Sequence, residues 1–223
     1  MTDKVRVKEV FASIQGEGPF VGYKQLFIRF CGCNLSCKYC DTDFRTVDSI
    51  EYSVDDLVEI AKKNSDCHSV SLTGGEPLFN TGFLKEFLPQ CPLPVYLETN
   101  STLAGELGEV IDYIDYIAAD IKLPSCTGNN NLFNEHDRFF SVGSPKELFA
   151  KIVFDNNITD DEIIQCCKLG AKYNIELILQ PKMNADFKTA VDNSFIEKTL
   201  DNFLKKYKKV RLIPQVHKFL KIR

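Results

Sequence analysis

Four of the nine cysteines fall within ten residues, Cys31-Gly32-Cys33-Asn34-Leu35-Ser36-Cys37-Lys38-Tyr39-Cys40. A chain carrying such a cluster must fold so that the thiols share one site. Cys33, Cys37 and Cys40 have C-x3-C-x2-C spacing. Thiolates are soft ligands suited to iron–sulfur clusters or zinc, and a short irregular loop of this spacing can wrap three of them around one cube of iron and sulfide. Cys31 could add a fourth ligand and close the site. At the end of the apolar run 26–30 it also reads as a small buried hydrophobe, the reading preferred here. Structural zinc usually takes two separated pairs of ligands, and no second C-x2-C or histidine pair exists. Cys67, Cys91 and Cys126 stand alone. Cys166 and Cys167 are adjacent in a predicted helix, where neighbours diverge by about 100°. Spacing therefore favours a three-thiolate cluster, with one iron open, over zinc.

A chain of 223 residues, 44% hydrophobic, can bury one large core, so residues 1–223 read as a single domain. The net charge of −4 argues against a general nucleic-acid binder. The N-terminal MTDKVRVKEV has no apolar stretch of signal-peptide length, and no run approaches the roughly 20 apolar residues of a membrane span. The expectation is a cytoplasmic protein without membrane association. An odd cysteine count in such a chain points to metal or redox chemistry rather than a disulfide framework.

Short apolar runs rich in β-branched residues predict strands near 5–14, 25–30, 69–72, 94–97, 116–123, 149–154, 175–179 and 209–213. Helical patterns lie between most of them. Ser53 can cap one. Thr159 with Glu162 fits a capping box for a second, which Gly170 would end, and Ser194 with Glu197 fits a box for a third. The region 124–143, with Asn129-Asn130-Asn131, reads as a loop, either a lid or a tolerated insertion. Strands alternating with helices imply α/β architecture and a mainly parallel sheet. Polar residues gather where the strands end: Thr73-Gly74-Gly75-Glu76-Pro77, Glu98-Thr99-Asn100-Ser101, Asp120 and Lys122, Gln180, and Gln215 with His217. Such ends build the sites of barrels and open α/β sheets, although strand ends are also polar simply where they meet water.

The C-x3-C-x2-C run followed by Gly74-Gly75-Glu76-Pro77 resembles the radical S-adenosylmethionine superfamily. Gln15-Gly16-Glu17-Gly18-Pro19, Arg29, Cys40-Asp41-Thr42 and Pro214-Gln215-Val216-His217-Lys218 are similar, within it, to the 7-carboxy-7-deazaguanine synthase family. The resemblance runs from Gln15 to Lys218. It implies a partial (β/α)6 barrel, TIM-like, with a reduced helix complement, and a homodimer. It also implies ring contraction of 6-carboxy-5,6,7,8-tetrahydropterin with loss of ammonia, on the route to queuosine and related deazapurines. Flavodoxin or ferredoxin would supply electrons. A 5′-deoxyadenosyl radical would abstract hydrogen from the pterin.

By that resemblance Cys33, Cys37 and Cys40 hold a [4Fe-4S] cluster. Tyr39, Cys40 and Asp41 present backbone to S-adenosylmethionine, and Gly75 and Glu76 meet its amine, the glycines permitting close approach. Asn100, Lys122 and Ser125 are candidates for its ribose and carboxylate; Asn100 could equally cap the following segment, and Lys122 could be solvated. Thr42 would bind Mg2+, which shares oxygen ligands among protein, water and substrate; as part of an Asp-Thr turn it would bind nothing. Ile14, Gln15, Gly16, Glu17, Arg29, Thr73 and His217 are the substrate candidates. Arg29 on a strand needs a carboxylate partner, either the substrate's or an internal one. His217 either moves a proton, as the catalytic residue, or only hydrogen-bonds the substrate. Two rivals remain: an activase that makes a glycyl radical on a partner protein, and a zinc-stabilised binding module.

Overall fold

The computed structural model describes residues 4–40, 43–184 and 188–222. In chain order the elements are β1 (Lys4–Ile14), β2 (Lys24–Phe30), β3 (Ile50–Ser53), α1 (Val54–Lys63), β4 (Ser69–Gly74), α2 (Thr81–Phe87), β5 (Val95–Thr99), α3 (Ala104–Val110), β6 (Tyr116–Asp120), α4 (Pro124–Thr127), α5 (Phe133–Gly143), β7 (Glu147–Phe154), α6 (Asp160–Tyr173), β8 (Glu176–Pro181), α7 (Asn193–Leu204), β9 (Val210–Leu212) and α8 (Val216–Leu220). The strands form one open sheet in the order β3-β1-β2-β4-β5-β6-β7-β8-β9. From β2 to β9 every step is parallel, six steps joining seven strands, an open, mainly parallel α/β sheet as expected, with one parallel strand more than the six of a (β/α)6 unit. β1 pairs antiparallel with both β2 and β3.

Side chains alternate across a strand, and this alternation sorts the protein into layers. Leu26, Ile28, Val70, Leu72, Leu97 and Ile152 face the main core, where they meet Leu57, Phe83, Phe87, Leu107, Phe139 and Ile163 from the helices. Tyr96, Ala118, Phe149 and Ile178 point the other way and join Phe20 in a second, smaller cluster. That cluster fills the inner face of the sheet at its base. One register further toward the C-terminal strand ends, the same face carries Glu98, Asp120, Lys151 and Gln180, all lining a cavity.

Of the three helix starts read from the sequence, two stand and one moves. Ser53 accepts from the Asp56 amide at 3.2 Å while Asp56 accepts from the Ser53 amide at 2.9 Å. Thr159 and Glu162 form the same reciprocal box. The expected box at Ser194 does not form. Asp192 is the cap, its Oδ1 accepting from the Phe195 amide at 2.8 Å, and Ser194 lies inside α7. A carboxylate three positions ahead of that amide is the stronger partner at a helix N-terminus, where the dipole favours negative charge.

Other departures have local causes. α6 runs through Gly170 to Tyr173 and stops at Asn174 in the left-handed region (φ 55°), because Gly170 is needed for packing against Tyr207 and Leu177 rather than as a stop. The strand expected over 116–123 ends at Asp120. The region 124–143 is not one loop: it contains α4 and α5, and only the stretch between them is irregular. β3 was not predicted; its four residues are exposed or half-buried and owe their form to pairing with β1.

Replacing Asp192 by Ala is expected to lower the urea unfolding midpoint clearly more than Ser194→Ala does, because only the former removes the cap. Equal losses would return the cap to Ser194.

Candidate active site

A cavity of about 490 Å³ opens at the C-terminal ends of the parallel strands, with Cys33, Cys37 and Cys40 at one end and Gln15, Glu17 and Arg29 at the other. The cysteine loop leaves β2 through Gly32 (φ 84°). It is held against the Gly74-Gly75 turn by two backbone bonds, Gly75 N–H to Phe30 O at 3.1 Å and Glu76 N–H to Gly32 O at 2.9 Å. A Cβ on Gly75 would lie 1.9 Å from Gly32 O, and one on Gly74 2.3 Å from Phe30 O. The space a side chain would fill is thus taken by the cysteine loop's own backbone, a more local reason for glycine than a ligand's approach.

Glu76 is fully buried and does not itself line the cavity. Its Oε1 accepts from the Thr99 hydroxyl (2.8 Å) and the Leu78 amide (3.2 Å), its Oε2 from the Asn100 amide (2.7 Å). Burial pushes this carboxyl up to about 7, against the pull of those donors. Its side chain is a bracket joining the loops after β4 and β5.

Cys33, Cys37 and Cys40 all line the cavity, whereas Cys31 is buried with its sulfur toward Arg45 O at 3.6 Å. The Asn129 amide donates to Cys37 Sγ at 3.1 Å, the Leu35 amide to Cys33 Sγ at 3.4 Å. Burial pushes both thiols up. The segment after α4 is therefore a wall of the cysteine loop, tied on also by Lys38 N–H to Thr127 O at 2.9 Å. Among the described residues no three His, Cys, Asp or Glu side chains converge on a single-ion position; a cluster cube holds its thiolates on separate corners. Asp41 and Thr42 lie outside the described residues.

At the far end, Gln15 is buried, and its amide is committed within the protein. Nε2 donates to Gln25 Oε1 (2.9 Å) and Glu98 Oε1 (2.8 Å), and Oε1 accepts from the Glu17 amide (3.0 Å). Thr73 donates to Glu98 Oε2 at 2.9 Å and Ser71 to Oε1 at 3.4 Å. Gln15 and Thr73, expected to read a ligand, both line the cavity and in this structure also orient Glu98. Arg29 is met by Glu9 at 3.3 Å and lies over the Phe11 ring at 5.9 Å, so the internal ion pair considered from sequence is present. Ile14 is exposed at the rim and also lines the cavity. Gly16 packs against the His217 ring, which a Cβ would overlap at 2.4 Å, and Gly18 (φ 64°) against Phe149. His217, at the start of α8, faces this loop, and the Val216 amide ties α8 to Gly16 O at 2.8 Å.

A chain of buried charges links the two ends. Glu17 pairs with Lys151 and accepts from Gln215 Nε2 at 2.7 Å. Lys151 also meets Asp120 Oδ1 at 3.3 Å, and Asp120 Oδ2 pairs with Lys122 at 2.7 Å. Lys122 lies over the Tyr39 ring at 5.6 Å. Burial alone would raise the Glu17 carboxyl; the Lys151 charge and the hydrogen bonds from Lys151 and Gln215 outweigh it and hold it at about 2. Desolvation opposes charge on both lysines, yet Asp120 keeps each raised. Lys122 is not solvated: its side chain is 13% exposed.

Two candidates take structural roles. Asn100 turns the chain after β5, Oδ1 accepting from the Thr102 hydroxyl at 2.6 Å and Nδ2 donating to Asn34 at 2.8 Å; it also borders the cavity. Ser125 is not among the cavity's lining residues, and its amide donates to Glu162 at 2.9 Å. Sequence reasoning placed Glu98 and Asp120 among the polar strand ends without giving them a role, and did not single out Gln25, Lys151, Asn129 or His136 as site residues. The usable signal was alternation: Glu98, Asp120 and Lys151 occupy inward positions of successive strands. Buried His136 accepts from the Lys122 amide at Nε2 (3.1 Å), so Nδ1 carries the proton toward Ser101 (Oγ 2.8 Å, O 3.2 Å).

Burial pushes the His136 imidazole down to about 4. The unfolded chain, with a value near 6.5, binds more protons below that pH, so this group's share of stability is complete above about 6.5 and is lost as pH falls toward 4. The stability gap between wild type and His136→Phe should narrow between pH 7 and 4.5 in urea unfolding; a constant gap would show that His136 is not held neutral.

The model of the Radical SAM superfamily matches residues 27–177. The chain is 35% identical to the 7-carboxy-7-deazaguanine synthase of Geobacter sulfurreducens, over 96% of both chains. It is 32% identical to that of Archaeoglobus fulgidus, over 96% of this chain and 97% of the relative. Among solved structures, QueE from Escherichia coli superposes with a TM-score of 0.67 at 18% identity, covering 96% of this chain and 95% of that one. Archaeal TYW1 gives a TM-score of 0.52 at 12% identity, covering 82% and 72%. The chain belongs to the 7-carboxy-7-deazaguanine synthase family of radical S-adenosylmethionine enzymes.

Proposed function

We propose that the protein converts 6-carboxy-5,6,7,8-tetrahydropterin to 7-carboxy-7-deazaguanine with loss of ammonia, in queuosine and 7-deazapurine formation, using a [4Fe-4S] cluster, S-adenosylmethionine and Mg2+. The observation that carries this reading is the single cavity running from three thiols of one loop to a set of polar groups suited to a pterin.

The cysteine end fits a cluster. Three thiols from one loop face the same space, Cys31 is turned away, and an amide donor already reaches one sulfur. Such donors orient and tune cluster ligands. When bound, the cluster and S-adenosylmethionine supply one-electron hydrogen abstraction. The backbone of Gly75 and of the Tyr39–Cys40 stretch borders the space for the cofactor, and Lys122 offers its carboxylate a cation, shared with Asp120. Thr42 is the proposed Mg2+ ligand, through its family motif alone.

The substrate end offers complementary edges. An ionised carboxylate has about four acceptor sites. Gln15, Ser71 and Thr73 occupy three on Glu98, leaving one on Oε2 for an N–H of the pterin ring. Arg29, already steered by Glu9, can share a substrate carboxylate. His217 sits where the Gln15–Glu17 loop meets α8 and can hold or move a proton at the ligand. Residues Gly16 and Gly18 give this loop close packing over the ring plane. A flavodoxin or ferredoxin as reductant and a homodimeric assembly complete the reading.

The test is anaerobic turnover of the carboxytetrahydropterin with reductant and S-adenosylmethionine, with and without Mg2+. Deazaguanine product that requires Mg2+ is expected; no product from a cluster-loaded enzyme would remove the assignment. Cys37→Ala should abolish iron and sulfide incorporation while Cys31→Ala leaves both nearly unchanged. Equal loss would mean the ligand set is wrong, and zinc without sulfide would end the cluster reading.

A further inference from the structure

Lys151 stands at the centre of the buried charges, on the inward face of β7, directly beside Asp120 in the β6–β7 register. Its side chain is 12% exposed. The ammonium pairs with Glu17, from the loop after β1, and with Asp120, from β6. Glu98, from β5, acts on it through its charge. Beyond Asp120 lie Lys122 and Tyr39, and beyond Glu17 lie Gln215 and His217. Two carboxylates, one from the loop after β1 and one from β6, thus share one cation at this point.

We propose that Lys151 is a positioning residue that locks the Gln15–Phe20 loop onto the inner face of the sheet, and so shapes the substrate end of the cavity. The loop has few other ties to the strands beneath it. Gln15 is held through Gln25 and Glu98, and Gly16 O through Val216 of α8. Gly18 and Phe20 contribute packing on Phe149 and Tyr96. Glu17 is the loop's charged contact with the sheet, and Lys151 receives it. Without the ammonium, Glu17 and Asp120 would be two carboxylates facing one another out of water, an arrangement relieved only by moving the loop or by taking up a proton. The proposal rests on the functional reading above only for the identity of the ligand that the loop covers.

The first readout needs no ligand. In Lys151→Met, amide hydrogen exchange at Glu17 and Val216, followed in peptides spanning 15–22 and 214–218, should quicken by about tenfold or more, as for a segment opened locally. Exchange across β4 should stay at the wild-type level, and Lys151→Arg should restore the loop. Unchanged loop exchange in folded Lys151→Met would overturn the proposal. In Asp120→Asn, Lys151 is left to Glu17 and the loop should stay protected; acceleration equal to that of Lys151→Met would mean general loosening of the cavity, and overturn it too. Should Lys151→Met not fold, Glu17→Gln removes the other end of the pair and must give the same exchange pattern. For turnover, KM for the carboxytetrahydropterin should rise by roughly 30-fold or more in Lys151→Met, as for loss of one partner of a buried charge pair, with kcat changed less and Lys151→Arg intermediate. A fall in kcat at constant KM, with wild-type exchange, would make Lys151 something other than a positioning residue.

Discussion

A strand in a parallel sheet has both faces covered, and the whole architecture follows from how this sheet covers its inner one. The outer face is closed by helices in the ordinary way, Phe83, Phe87 and Phe139 packing on Ile28, Leu72 and Leu97. The inner face is covered differently. At its base it is filled by aromatic rings, Phe20 lying 5.2 Å from Tyr96 and 4.7 Å from Tyr116. Above that plug the same alternation delivers Glu98, Asp120, Lys151 and Gln180 into a space that apolar groups do not fill. Depth in the sheet, more than position in the sequence, decides whether an inward residue is structural or functional.

Charges in that space stabilise one another because bulk water is largely excluded. An isolated buried carboxylate would neutralise itself. Here Glu17 is held ionised by Lys151 and Gln215, and Asp120 lies between the ammonium groups of Lys122 and Lys151. Glu76 shows the contrary case. Three hydrogen-bond donors surround it, but no cation touches it, and burial still pushes it up to about 7. Neutral donors offset only part of the desolvation that a paired cation overcomes.

How much of this was legible in the sequence depended on what fixes each feature. The strand runs and the Ser53 and Thr159 boxes are local patterns and stood where the chain predicted them. β3 is fixed by its partner strand, and the helices within 124–143 carry too many polar residues to stand out from a loop; Leu123, Cys126, His136 and Phe139 become buried only in the assembled fold. In the site, the three cysteines and the glycine pair were visible because their spacing is local. Their meeting, Gly75 on Gly32, was visible only as a resemblance. Lys151 was hidden because it is one polar residue within the apolar run 149–154. Nothing local distinguishes an inward residue near the strand's end from one facing solvent.

Glycine and glutamate in the Gly74-Gly75-Glu76-Pro77 turn show how one motif can answer to more than one constraint. The sequence suggested that glycine admits a cofactor. In the fold the two glycines first admit another stretch of backbone, and Glu76 spends all its visible hydrogen bonds within the protein. These uses are compatible. The Gly32–Glu76 and Phe30–Gly75 bonds hold the turn still, as the proposed binding of a cofactor amine would require. The same logic applies at the far end of the cavity, which Gln15 and Thr73 both line while also holding Glu98. A site preorganised in this way places its cost in folding, so that little reorganisation is left for the moment of binding.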